Sequence, residues 1–205
     1  MKLEKFRIEI PQSKLDELHR RLEQTSWPHD FENDDWRYGV PQKLLQDFVA
    51  TWRTEFDWRA QEEKMNAFAH FRTEVDGLPI HFIHERGVGP NPIPIVLSHG
   101  WPWTFWDLKE VIPALTDPAA HGGDAGDSFD VIVPSLPGFI FSTPLKRSGV
   151  GPLRTADLWA KLMKDNLGYK RFAAQGGDWG ALVTTQLGHQ YAEDLIGIHL
   201  TNAFA

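Results

Sequence analysis

The sequence contains no cysteine, which excludes disulfides and thiolate metal sites and leaves cysteine usage silent on compartment. It has no apolar run approaching the length of a membrane span. Its opening, MKLEKFRIEIPQ, lacks the apolar centre of a signal peptide. Basic charge is also scarce: 21 Lys and Arg stand against 28 Asp and Glu, a formal net charge of -7. With no basic patch to neutralise phosphates, nucleic acid is a poor partner. These absences lead to the expectation of a cytoplasmic protein with neither a nucleic-acid nor a membrane partner.

What is present is ordinary for a globular chain. The 205 residues suffice for one sizeable domain or a small pair, with 41% apolar and 24% charged residues. Nine tryptophans and thirteen phenylalanines are many for this length. Large aromatics bury much apolar surface, so most are expected in the core and some around an apolar pocket.

Two unlike parts follow one another. Residues 1–68 read as a helical extension. Ser13 is placed to cap a helix carrying Leu15, Leu18 and Leu22 on one face, and a second helix after Pro41 carries Leu44, Leu45, Phe48, Val49 and Trp52. Residues 69–205 alternate strand and helix. HFRTEV and IHFIHER flank Asp76-Gly77, a hairpin signal. PIPIVLS and FDVIVP read as buried strands, and RFAAQ and LIGIHLTN as further strands. FWDLKEVIPALT reads as one helix, RTADLWAKLMKDNLG as another with Thr155 as its cap and Gly168 just past its end, and WGALVTTQLGHQY as a third. The pattern predicts an α/β fold, a mostly parallel sheet covered by helices. Its last strand has no successor among these residues and would form an exposed apolar edge, a candidate for self-association.

GGDWG, residues 176–180, lies where an apolar strand becomes a helix. Such a turn presents one side chain above the sheet and crowds the backbone, so small residues are needed two before and two after it. Gly176 and Gly180 occupy those places around Asp178, with Gly177 inside the turn. The motif is a nucleophile elbow with aspartate in place of serine. The helix start favours an ionised carboxylate, and the amide of Trp179 is placed to bind an oxyanion. The simpler reading, that Asp178 merely caps the helix, leaves the two flanking glycines unexplained.

SHGWPW, residues 98–103, ends another buried strand, where ligands of α/β sheets collect. The turn His99-Gly100 exposes the amide of Trp101, a second oxyanion donor, while His99 reads as a structural turn residue rather than a base. His81 and His84 are three apart on a strand and face opposite ways, so neither they nor His70 form a convincing metal pair. Asp124, Asp127 and Asp130 fail the spacing of a calcium loop and read as a solvated acidic turn. No metal and no cofactor is expected.

At these residues the chain resembles the epoxide hydrolases of the microsomal type, an α/β-hydrolase family. The likeness runs through FRIEIPQSKLDELHRRL, TSWP, DWRYG, FDWRAQEEKMN and VDGLPIHFIHER, and then HGWP, LPGF and GGDWG in the family's order. It implies that Asp178 attacks an epoxide carbon to form an ester, with the amides of Trp101 and Trp179 as oxyanion hole. It further implies a cis Trp101-Pro102 bond and a small apolar epoxide as substrate. It divides the chain into an extension, 1–68, and the N-terminal half of a hydrolase core, 69–205. The family's lid tyrosines, acid and base histidine match no position here: Tyr38, Tyr169 and Tyr191 precede or surround the elbow, and His189 and His199 lie on the helix and strand after it. Trp103 stands where the family usually has glycine, and Phe139-Ile140 where it usually has tyrosine and glycine.

Two other functions compete. A haloalkane dehalogenase would use the same nucleophile with Trp179 on the halide, but the extension and HGWP in place of HGNP speak against it. A non-catalytic shortened fold would act through its edge strand. The expectation for the 205 residues by themselves is an epoxide hydrolase that does not turn over.

Overall fold

The computed structural model describes residues 3–202. They form two compact units: a helical one, Ile8–Met65, and an α/β one made of the residues before and after it.

The helical unit holds α1 (Gln12–Glu23), α2 (Gln42–Thr54) and α3 (Trp58–Met65). α1 starts at Gln12 with Pro11 in the capping position, so Ser13 lies inside the first turn and is not the cap. Proline before a helix supplies a fixed φ and needs no donor, which displaces the hydroxyl cap. Glu62 of α3 accepts the Ile10 N–H at 2.7 Å, Arg59 at 2.6 Å and the Trp58 indole at 3.2 Å. A cavity of about 410 Å³ opens between these helices, walled by leucines and aromatics such as Leu18, Phe48 and Trp52.

The α/β unit is built on one seven-stranded sheet in the order β1-β2-β3-β5-β4-β6-β7. Its strands are β1 (Glu4–Lys5), β2 (His70–Val75), β3 (Leu78–Glu85), β4 (Ile93–Ser98), β5 (Phe129–Pro134), β6 (Phe172–Gly176) and β7 (Leu195–Leu200). The first three run antiparallel, as do β3 and β5; from β5 to β7 the sheet is parallel. Glu4–Lys5 pairs with β2, so the start of the chain contributes a strand where the sequence suggested only helix. Asp76 (φ 50°) and Gly77 (φ 77°) make the predicted two-residue hairpin turn, whose twist requires positive φ at both positions.

Three further helices complete the unit: α4 (Val111–Thr116), α5 (Pro152–Lys161) and α6 (Trp179–Gln190). FWDLKEVIPALT is not one helix. Phe105–Leu108 is a 3-10 turn closed by a Thr104–Asp107 capping box, and α4 begins afresh at Val111. Pro113 then sits in the first turn of α4, where its missing N–H leaves no acceptor unpaired. α5 is capped by Gly151 with Pro152 at its first position, so Thr155 is not the cap; its Oγ1 donates to the Gly151 carbonyl at 3.0 Å. The helix continues as a π-helical turn to Asn166, and Gly168 (φ 78°) follows as expected.

The main core joins Ile80, Phe82, Val96 and Ile132 of the sheet to Trp159 of α5, to Leu162 just after it, and to Val183 and Leu187 of α6. β4 and β5 are buried on successive residues, Ile95 to Ser98 and Asp130 to Pro134, so both faces of each strand are covered. Most tryptophans are not core: of the nine, Trp159 alone is buried. Trp101, Trp103 and Trp179 are exposed around one end of the sheet, and Trp36 and Trp52 in the helical unit. Asp130 also departs from expectation. It lies in β5, buried, accepting from Arg86 (2.7 Å), Tyr169 (2.7 Å) and the Gly87 amide (2.9 Å), rather than in a solvated turn. No helix among the described residues is long and apolar enough to cross a membrane.

Candidate active site

β4 and β6 are neighbours in register, Ser98 opposite Gly176, so their carboxyl ends bring SHGWP beside GGDWG. β6 ends at Gly176 and α6 starts at Trp179, leaving Gly177 and Asp178 to turn the chain. Asp178 adopts φ 52°, ψ -123°, a conformation that costs a non-glycine residue about 1–3 kcal/mol. The glycines explain how the turn closes. A Cβ on Gly176 would lie 2.1 Å from the Gly180 carbonyl oxygen, and one on Gly180 would lie 2.0 Å from that of Ser98. A Cβ on Gly100 would meet the Asp178 side chain at 2.6 Å. All three small residues are therefore steric requirements of one assembly.

Asp178 occupies the capping position of α6, yet its carboxylate makes no side-chain capping bond to that helix. It turns instead to the Trp101 amide, which donates to Oδ1 at 2.8 Å. Hydrogen bonds from the Trp101 and Trp179 amides hold the carboxyl below its ordinary range, so it is ionised at neutral pH. The Trp101-Pro102 bond is cis. The backbone N–H of Asp178 donates to Asn202 Oδ1 at 2.8 Å.

His99 is buried with both ring nitrogens engaged. The Leu136 amide donates to Nε2 at 3.0 Å, which makes Nε2 the acceptor and leaves Nδ1–H to donate to the Gly100 carbonyl at 2.9 Å. Burial lowers its pKa, so it stays neutral and braces the turn. Gln175 was not singled out by sequence, although it lies at a strand's carboxyl end. Its side chain reaches the same cavity, with a buried Oε1 that has no partner. Asn202 and Thr201 were likewise missed; the signal was two polar residues closing the apolar strand LIGIHL.

The cavity above Asp178 measures about 370 Å³. Trp103 and Leu108 are the large apolar side chains on its wall, with Asp107, Gln175, Thr201 and Asn202 as polar ones. His70, His81 and His84 lie elsewhere. His70 Nδ1 and His81 Nε2 share a hydrogen bond of 2.9 Å, His81 Nδ1 pairs with Ser135 Oγ, and His84 pairs with Tyr169. Among the described residues no group of three or more His, Asp or Glu could hold a metal ion.

Residues 3–108 match the family Epoxide hydrolase N terminus, and residues 93–204 match the alpha/beta hydrolase fold. The chain belongs to the epoxide hydrolase family. It is 51% identical over 195 residues to a Stigmatella aurantiaca relative and 38% identical over 202 residues to Epoxide hydrolase 1 of Oryctolagus cuniculus. These matches cover 95% and 97% of this chain, and 44% of each relative. The solved structure of the Aspergillus niger epoxide hydrolase superposes with a TM-score of 0.87 at 30% identity, covering all of this chain and 53% of that one. This chain thus spans about half the length of the epoxide hydrolases it matches. The sheet and helices of the α/β unit are those of the α/β-hydrolase fold.

Proposed function

We propose that Asp178 is the nucleophile of an epoxide-opening reaction on a small apolar epoxide. The observation that carries this is the pairing of its elbow conformation with the Trp101 amide on Oδ1. With Oδ1 held there, Oδ2 is the oxygen free to attack. An Oδ2–carbon bond forms as the epoxide carbon–oxygen bond breaks, and the released alkoxide takes a proton from solvent water. The product is an ester whose carbonyl oxygen is Oδ1, already seated against the Trp101 amide, with the Trp179 amide as the second donor of the proposal. Water attacking that ester would place an oxyanion on Oδ1, and each such donor typically contributes about 10² to 10³ in rate.

The 205 residues supply the nucleophile of this sequence better than its proton donor or its base. The Tyr169 and Tyr191 hydroxyls are committed to Asp130 and Asp157, and Tyr38 belongs to the helical unit. His99, the histidine on the cavity wall, has both nitrogens engaged. The chain is therefore expected to alkylate without turning over. Incubation with a reactive terminal epoxide and intact-mass analysis should show a single slow adduct, mapped to Asp178 and absent from Asp178→Asn. Adduct at another residue, or sustained diol formation lost in Asp178→Ala, would overturn this reading.

A second reading concerns the isolated chain. β7 pairs with β6 alone among the described strands and exposes Ile196 and Ile198. Such an edge favours self-association. Sedimentation should show concentration-dependent assembly that Ile196→Lys reduces; a monomer at high concentration removes this reading.

A further inference from the structure

The conformation of Asp178 persists only if its surroundings over-determine it. The glycine contacts restrain the residues on either side, and the Trp101 amide restrains the carboxylate. Neither holds the Asp178 peptide itself. β6 has ended at Gly176, so no strand partner takes the Asp178 N–H. The helix cannot take it either, because the N–H groups at a helix start have no intrahelical acceptor. The first bond across the turn runs from Ala181 N–H to the Asp178 carbonyl, which occupies the other end of that residue.

The acceptor is supplied by the neighbouring strand. β7 runs parallel to β6 with Leu200 opposite Gly176, and the ladder extends one further step as Thr201 N–H donates to the Gly176 carbonyl at 3.2 Å. That step delivers Asn202 to the outer side of the turn, where its Oδ1 accepts the Asp178 N–H at 2.8 Å. The approach is close: a Cβ on Gly177 would lie 2.4 Å from Thr201 Oγ1. With Gly177 bare, the Thr201 hydroxyl and Asn202 come against the elbow without a clash.

We propose that Asn202 is a positioning residue for Asp178. Its side-chain oxygen locks the Asp178 peptide plane, so the carboxylate stays against the Trp101 amide with its second oxygen presented to the cavity. The inference rests on the reading of Asp178 as nucleophile for its functional meaning, while its structural content stands on the hydrogen bond alone.

The test compares the wild-type chain with Asn202→Ala and Asn202→Asp. Asparagine and aspartate both offer the accepting oxygen; alanine does not. Hydrogen exchange at the Asp178 amide should quicken about tenfold in Asn202→Ala and return toward wild type in Asn202→Asp, while the amides of Ala173 and Ala174 in β6 keep their protection. Adduct formation at Asp178 should fall about tenfold in Asn202→Ala. An Asp178 amide that stays protected in Asn202→Ala overturns the proposal. So does a loss spread evenly through β6, since that marks a general structural role. If the amide responds as expected but the wild-type chain forms no adduct with any reactive epoxide, the positioning bond stands and the nucleophile assignment falls.

Discussion

Ile140 is at odds with its own backbone. It holds φ 43°, in the left-handed region, where a β-branched side chain is a true outlier. It is also 47% exposed, so little burial offsets the strain. Its neighbours close the turn regardless: Gly138 N–H donates to the Ser142 carbonyl, and Ser142 N–H to the Phe139 carbonyl. Ile140→Gly is therefore expected to stabilise the fold by about 1 kcal/mol, read as a raised denaturant midpoint with an unchanged slope. A lowered midpoint would mean that the isoleucine side chain contributes more than its backbone strain costs.

At the scale of elements, the site is a junction of two strand ends and one helix start. Gly180 of α6 sits under the Ser98 carbonyl of β4, and backbone cannot swing aside as a side chain can. Gly180→Ala is expected to destabilise by about 3 kcal/mol and to reduce adduct formation at Asp178. Gly197 in β7 is the control, since a Cβ there meets nothing within 4 Å. Gly197→Ala should stay within about 0.5 kcal/mol of wild type. Equal effects at the two glycines, measured by chemical denaturation, would show that the close approach of α6 to β4 is not what the motif protects.

The whole molecule should be labile to acid through its buried histidines. Burial, and then the nearby Arg86 cation, push the His84 pKa from 6.5 down to about 4, although Asp130 pulls the other way. Burial and the charge of His70 push His81 to about 3. A group whose folded pKa is depressed contributes stability that is complete above its unfolded pKa and is lost as pH falls through the folded one. Stability should therefore decline as pH falls from about 6.5 towards 4, with His84 accounting for a loss on the order of 3 kcal/mol. In His84→Gln the slope of stability against pH over that window should be shallower; an unchanged slope would show that His84 titrates alike in both states.

Much of this protein follows from local patterns along the chain. The hairpin at Asp76-Gly77 needs two positive φ values that few dipeptides tolerate, so composition announces it. The strands PIPIVLS and FDVIVP are buried on both faces along most of their length, so apolar residues follow one another there without polar alternation, Asp130 apart. The elbow was legible because its steric demand falls on residues two before and two after Asp178. Helix starts were less legible, because Pro11 and Pro152 displaced the expected hydroxyl caps at Ser13 and Thr155. What tertiary structure alone decided lies across strands. Asp130 lies within the strand FDVIVP, but the partners that hold its charge there, Arg86 and Tyr169, are distant in sequence and converge on it only in the fold. Asn202 meets Asp178 through the register of β7 on β6, which no local pattern encodes. The aromatic distribution is of the same kind. Trp159 and Trp103 have the same side chain, but one lies on a helix packed against the sheet and the other on the wall of the Asp178 cavity. Only the chain's path through space separates them.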